Sequence, residues 1–308
     1  SDVVNLEEMN SYSRSQTKSS KLDSNTFINE VSEDLAILKG RVDGLEVKQN
    51  EFEAGGFSDT TVMNGKAIFD IGAVENSSGD LSEAVGFQYT YQLNLNTSFT
   101  GDDDLYVRLK TGNATDVFSS KTYGTYLTSS NGNDDTIKVD KIWYSFPVGE
   151  NNTVWIGPKI ENYYMHGATP SIYAPITKQF KLGGNGAAYG ASTNGGLGWA
   201  YTADNGFAIS SNVVSQGANS GGVLNNESKT SWATQIGYTQ PRYSASAIVN
   251  VKSNGWSDSY FKAGDVNGDA EARSNMTSVG LRAWWRPEET GTATPSISVG
   301  YDVTQYDG

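Results

Sequence analysis

The chain has 308 residues, a net charge of −13, one histidine and no cysteine, with 37% hydrophobic and 19% charged residues. That acidic balance speaks against nucleic acid, whose phosphates need a basic surface, and without cysteine there are no disulfides, thiolate catalysis or cysteine metal sites. Mean hydropathy is −0.47 and no run of roughly 18 apolar residues occurs, which excludes a transmembrane helix but not a β-barrel, where only alternate residues of a strand face lipid.

Residues 1–24 are polar and serine-rich and predict a flexible tail. The chain opens on Ser1-Asp-Val-Val without a basic n-region or an apolar h-region, so a secretory signal is expected to have been removed.

Over 25–56 the pattern turns helical. Ile28, Leu35, Val42 and Gln49 fall at a, and Val31, Leu38, Leu45 and Phe52 at d of a heptad. Ser24 or Asn25 caps the start and Gly55–Gly56 ends it. About thirty residues at 1.5 Å each make a rod of roughly 40 Å. The stripe is narrow and charged residues fill the other faces, which favours an oligomeric coiled coil over a helix packed on its own domain. Gly40 and Gly44 weaken the isolated helix by about 1 kcal/mol each, so contacts with a partner must offset them. The residues at a and d leave the oligomer number open.

From 57 to 308 the period becomes two. In Val85-Gly-Phe87-Gln-Tyr89-Thr-Tyr91-Gln-Leu93-Asn-Leu95 each odd position is apolar or aromatic, and Gln88 to Asn94 are polar at the even ones. Eleven such strands are predicted, near 62–73, 84–96, 104–111, 136–146, 152–160, 196–202, 206–213, 230–238, 242–252, 276–286 and 294–304. Short turns alternate with the long loops 74–83, 112–135, 161–195, 214–229 and 253–275. In an antiparallel meander alternate connections lie at opposite ends, so the long loops share one rim, as in membrane barrels with short periplasmic turns. The predicted architecture is an all-β antiparallel transmembrane barrel behind a coiled-coil helix.

The faces agree. Trp232, Thr234, Ile236 and Tyr238 are expected to face lipid, with Ala233, Gln235 and Gly237 inward; Tyr243 to Val251 and Ile297 to Val303 repeat the pattern. Phe146, Tyr201, Phe207, Tyr238, Tyr243 and Trp285 lie near strand ends, where interfacial girdles form. Charges fall on the wet side; facing lipid near the midplane each would cost roughly 2–4 kcal/mol. Eleven is an odd count, whereas single-chain bacterial barrels close with even numbers, so the strands read as part of a larger barrel, a C-terminal portion being absent.

The helix Glu33–Glu46 leading into Phe57–Phe69, then Asp140-Lys-Ile-Trp-Tyr-Ser-Phe-Pro-Val-Gly149 and Val154-Trp-Ile-Gly-Pro-Lys159, resembles the cyanobacterial outer-membrane porins, the iron-uptake porins related to carbohydrate-selective porins. The resemblance covers residue 30 to the end. It implies a homotrimer of sixteen-stranded barrels in outer-membrane lipid and lipopolysaccharide, helices in the periplasm, and passive diffusion of inorganic ions, iron included, and small solutes. Members of that family usually carry an S-layer-homology domain before the helix. Here the serine-rich tail stands in that place, which puts peptidoglycan tethering in doubt.

For a diffusion pore the working parts are inward charges and any loop folded into the lumen. Arg108, Lys110, Lys138, Asp140, Lys159, Arg282, Arg286 and Asp302 are the candidate pore-lining residues, each of which can equally be a paired brace of the wall. Loop 161–195, with Pro158 just before it and Pro170 and Pro175 within it, is the candidate constriction. Inward lysines and arginines point to anions and the acidic total to cations, a conflict the residues leave open.

Catalysis finds little material. Asp265–Glu271 departs from a calcium loop in its glycine and closing glutamate, His166 stands alone, and Asp102–Asp104 read as solvated turn charges. Nucleotide-binding and nucleophile-elbow motifs are missing, so neither enzyme nor cofactor is expected. A trimeric adhesin, with a coiled coil and a β-rich head, is the competing class; it requires a packed apolar interior. A barrel plugged by its loops, which anchors or senses, is the third.

Overall fold

In the computed structural model, residues 27, 29, 31–44, 60–75, 84–115, 118–119, 125–178, 181–184, 188–190, 192–256, 275–289, 291 and 293–307 are described. The predicted tail, Ile28, Leu45, Gln49 and Phe52 of the heptad seam, and Asp265–Glu271 lie outside them. The chain divides into Ser1–Asp59 and Thr60–Gly308.

In the first unit, residues 31–44 form helix α1. Its seam residues Val31, Leu35, Leu38 and Val42 are exposed in the single chain. No described helix is long and apolar enough to cross a membrane.

The second unit is one antiparallel meander: β1 (Thr61–Gly72), β2 (Gly86–Thr97), β3 (Asp104–Gly112), β4 (Lys138–Val148), β5 (Asn152–Ile160), β6 (Asn194–Thr202), β7 (Phe207–Gln216), β8 (Lys229–Gln240), β9 (Tyr243–Ser253), β10 (Asn275–Trp285) and β11 (Ile297–Asp307). Each strand pairs with its sequence neighbours, and β1 and β11 are the two edges of the eleven-stranded sheet. These are the eleven predicted strands, with ends shifted by three residues or fewer. The largest shift is at β11, so that the turn 286–296 approaches the long connection 217–228 in length. The two sets of connections still lie at opposite rims.

The period of two holds where the registers are regular. Trp232, Ile236, Tyr238, Tyr243, Val249, Val251, Val279, Leu281 and Val299 are exposed, while Ala233, Gln235, Ser244, Ser246, Asn250, Ser278 and Arg282 between them are buried. A soluble sandwich would bury the first set. Instead Phe87 is 72% exposed, Trp232 58% and Ile297 52%, and the buried face is polar. The packed apolar interior required of an adhesin head is not what these strands enclose.

The predicted aromatic girdle residues all flank short turns, at one rim. Tyr238 and Tyr243 stand 6.3 Å apart across the turn at Pro241, and Phe146 lies 5.6 Å from Tyr144. Positive φ at Gly149 and Gly206 (69° and 93°) lets the neighbouring turns reverse tightly. Asp103 differs from the expectation of a solvated turn charge. It is buried and its carboxylate accepts hydrogen bonds from Ser98, Phe99, Thr100 and the Tyr144 hydroxyl, all at 2.7–2.9 Å. Burial alone would raise its pKa; the bonds from Tyr144, Thr100 and Ser98 outweigh that and hold it well below the usual carboxylate range.

Candidate functional site

The connection between β5 and β6 runs inside the curve of the sheet. After β5, Asn162–Met165 makes one 3-10 turn, and Asn162 Nδ2 donates to Asn212 Oδ1 at 2.8 Å on β7 and to the Ser231 carbonyl at 3.0 Å on β8. Gln235 of β8 clamps Ala168 by both backbone groups, at 3.0 and 2.9 Å. Asn250 of β9 donates to the Ala188 carbonyl at 3.0 Å, Arg282 of β10 to that of Leu182 at 2.7 Å, and Ser298 of β11 to Ser171 at 2.9 Å. At the other end Arg108 of β3 donates to the Tyr164 hydroxyl at 3.3 Å. One segment meets the inner face of strands from β3 to β11 only if the sheet curls around it. The inner face is therefore the lumen of a barrel wall.

Sequence explains why the segment fits. Glycines on the inner face leave sockets: a Cβ on Gly237 would stand 2.5 Å from Ala168 Cβ, and one on Gly300 would collide with the Gly183 carbonyl. Leu182, Ala188, Tyr189, Ala233 and Ile248 form a small apolar cluster between segment and wall. Trp143, Ile160, Met165, Val214 and Trp256 form another, beside the Tyr106–Trp143 stack at 4.2 Å.

His166 sits in this seam, with Nδ1 2.9 Å from Ser210 Oγ and 3.3 Å from Asn212 Nδ2 and its ring edge-on to Tyr189 at 5.6 Å. Burial pushes its pKa down to about 3, so it is neutral at ordinary pH.

On the other side of the segment, toward β1–β4, a cavity of about 840 Å³ remains. Its lining is polar and charged. Asp140 pairs with Arg108, and Lys141 pairs with Glu161 at 2.9 Å, both side chains being buried. Thr193 completes that pair, accepting from Lys141 at 2.5 Å and donating to Glu161 Oε1 at 2.6 Å.

Of the predicted pore-lining residues, Arg108, Lys110 and Asp140 line this cavity together. Lys138 pairs in register with Lys110 but is exposed near the strand end, outside the cavity lining. Arg282 and Asp302 face inward under the segment as a buried pair, bonded at 2.9 and 2.7 Å. They are a brace of the wall rather than an open charge. Arg286 lies beyond β10 at the short-turn rim, where it is exposed and donates to the Pro241 carbonyl at 2.7 Å.

Lys159 departs from the expected inward position. It is opposite Ile142 in register and shares a groove with Val139, Ile142 and Pro158 on the outer side. There it is exposed, with its ammonium on the Val139 carbonyl at 2.7 Å. The register shifts on both flanks of β5 reset its alternation.

A second shift conceals a site residue. Arg108 pairs with Lys141 and Leu109 with Val139, so Asp140 is an extra residue on β4. At such a bulge two consecutive side chains can reach one face, and both Asp140 and Lys141 enter the cavity. Strict alternation places Lys141 on the outside, which is why sequence reading misses it. Lys66, Glu161, Lys178 and Lys181 also line the cavity. Lys66 carried a usable signal, because it lies opposite Gln92 on the polar face of β2; the loop lysines carried none beyond lying in the suspected constriction. Among the described residues no cluster of His, Cys, Asp or Glu suits a metal ion.

A curled antiparallel wall, apolar outside and polar inside, with a loop folded into its lumen, defines a porin-type β-barrel. The chain belongs to the family described as "Carbohydrate-selective porin, OprB family", whose model matches residues 20–307. Two cyanobacterial relatives are similar: uncharacterized protein alr4550 of Nostoc sp., 36% identical over 174 residues, and uncharacterized protein sll0772 of Synechocystis sp., 32% identical over 130. These matches cover 51% and 40% of this chain but 28% and 23% of the relatives' own lengths. Two mutants of Rh. blastica porin are 10% identical, with TM-scores of 0.42 and 0.44 over 80% of this chain and 84% of theirs.

Proposed function

We propose that the chain forms a passive diffusion channel of the outer membrane for small hydrophilic solutes: carbohydrates, as the family's description suggests, and inorganic ions, iron among them. The observation that carries this reading is the lumen itself. Its inward segment leaves a charged cavity beside β1–β4 instead of closing against them. Passive flow needs no more than a hydrated path whose walls replace part of a solute's hydration, and serine, threonine, asparagine, lysine and carboxylate side chains provide that.

The exposed seam Val31, Leu35, Leu38 and Val42 supports assembly through α1 in the periplasm, with a homotrimer as the proposed state. Planar-bilayer recording from the full-length, detergent-purified protein is the test, with discrete conductance steps expected. A refolded trimer that passes no current contradicts the reading. Liposome swelling in neutral sugars then separates a carbohydrate path from one restricted to ions.

A further inference from the structure

The cavity beside β1–β4 is positively charged within an acidic protein. Among the described residues, six cationic side chains line it, from Lys66, Arg108, Lys110, Lys141, Lys178 and Lys181, against four carboxylates, although the whole chain carries −13. The carboxylates are engaged or peripheral. Asp140 holds Arg108, Glu161 holds Lys141, and Asp135 accepts the Tyr89 hydroxyl at 2.6 Å. Lys66, Lys110 and Lys181 have no ion-pair partner among the described residues.

Their placement matters as much as their number. Lys66 and Lys110 project from the wall, whereas Lys178 and Lys181 come from the inward segment on the facing side. A solute between them meets cations from both directions, so the local potential is positive across the gap. Lys181 registers this crowding. Its pKa is lowered by burial, and the pull of Glu161 is opposed by repulsion from Arg108, Lys141 and Lys66. Fixed charges within a Debye length set the potential a permeating ion meets, and more distant surface acids are screened. The total of −13 is therefore a poor guide to selectivity.

We propose that the pathway passes anions in preference to cations, and that Lys66, Lys110 and Lys181 form a station for a phosphate group, carried either by inorganic phosphate or by a phosphorylated sugar. Ammonium groups on long stems suit this role, each offering three donors to an oxyanion without the fixed fork of an arginine. The proposal rests on the diffusion-channel reading and adds the class of solute.

The test is reversal potential under a potassium chloride gradient, recorded from the full-length protein in planar bilayers. Chloride is expected to be roughly threefold or more as permeant as potassium near 0.1 M salt, falling toward parity near 1 M as the Debye length shrinks. Replacing Lys110→Gln and Lys181→Gln together keeps side-chain length and should move the ratio at least halfway to unity; Lys159→Gln on the outer face should leave it alone. Inorganic phosphate and glucose 6-phosphate are then added separately, with glucose as the neutral reference. Block of chloride current by both phosphates assigns the station to the phosphate group; block by one alone identifies which carrier fits. No block by either overturns the station. Preference for potassium, or a ratio the double variant does not change, overturns the selectivity. A protein with no conductance fails the channel reading itself, and this proposal with it.

Discussion

The two halves of the inner wall differ in what covers them. Along β7–β10 the inner face carries mostly Ser, Asn, Gln and Gly, and the inward segment lies against it through hydrogen bonds and glycine sockets. Two cations in that half, Lys252 and Arg282, are 2% and 3% exposed. Along β1–β4 the face carries charges, and the segment touches it at its β5 end, through Tyr164 on Arg108 and Glu161 on Lys141, leaving the cavity beside it. Short neutral polar side chains can desolvate against a backbone that satisfies them; a lysine without a carboxylate cannot do so cheaply. The contrast explains why one loop both plugs and leaves open the same lumen: it docks where desolvation is cheap.

Breaking the covered half should have the largest effects. Arg282→Ala leaves Asp302 buried without its cation and frees the Leu182 carbonyl, so a loss of about 3–5 kcal/mol is expected in thermal unfolding of the solubilised protein. Gly237→Val forces Ala168 away, with a cost of about 1–3 kcal/mol and a larger single-channel conductance as the segment lifts.

Acid should loosen the same seam. His166 faces Ser210, Asn212 and Tyr189, and its folded pKa of about 3 lies below the unfolded value near 6.5. For a base held neutral by folding, stability is complete above the unfolded value and falls as pH drops toward the folded one. The slope approaches about 1.4 kcal/mol per pH unit, readable as segment protection in hydrogen exchange at pH 7 against pH 4. His166→Gln should flatten that dependence.

Outer-face changes come last. Lys159→Ala should alter stability by no more than about 0.5 kcal/mol and leave conductance unchanged, unlike substitutions at Lys110.

Most of the wall was legible because a two-residue period needs no tertiary information: Trp232, Gln235, Asn250 and Leu281 fall where alternation puts them. The site was less legible because it sits where alternation fails. The extra residue at Asp140 turned Lys141 inward, and the irregular pairing around Pro158 turned Lys159 outward. Both depend on hydrogen-bond register, which side-chain pattern does not encode. The length and prolines of loop 161–195 point to a constriction. That the loop packs on β7–β11 follows from Gly237, Gly300 and Gln235 acting together, a relation visible only across strands. The acidic total and the inward cations disagree for a related reason, since composition counts charges wherever they lie.

The absence of cysteine makes single-cysteine labelling the most direct test of the account. Gln92→Cys on the open half, Ser246→Cys under the segment and Val279→Cys on the outer face would each be exposed to a small water-soluble thiol reagent while current is recorded from the reconstituted protein. Fast modification with loss of current is expected at position 92, slow or no change at 246, and no effect on current at 279. Equal responses at 92 and 246, or block from 279, would contradict a lumen open along β1–β4 and covered along β7–β10.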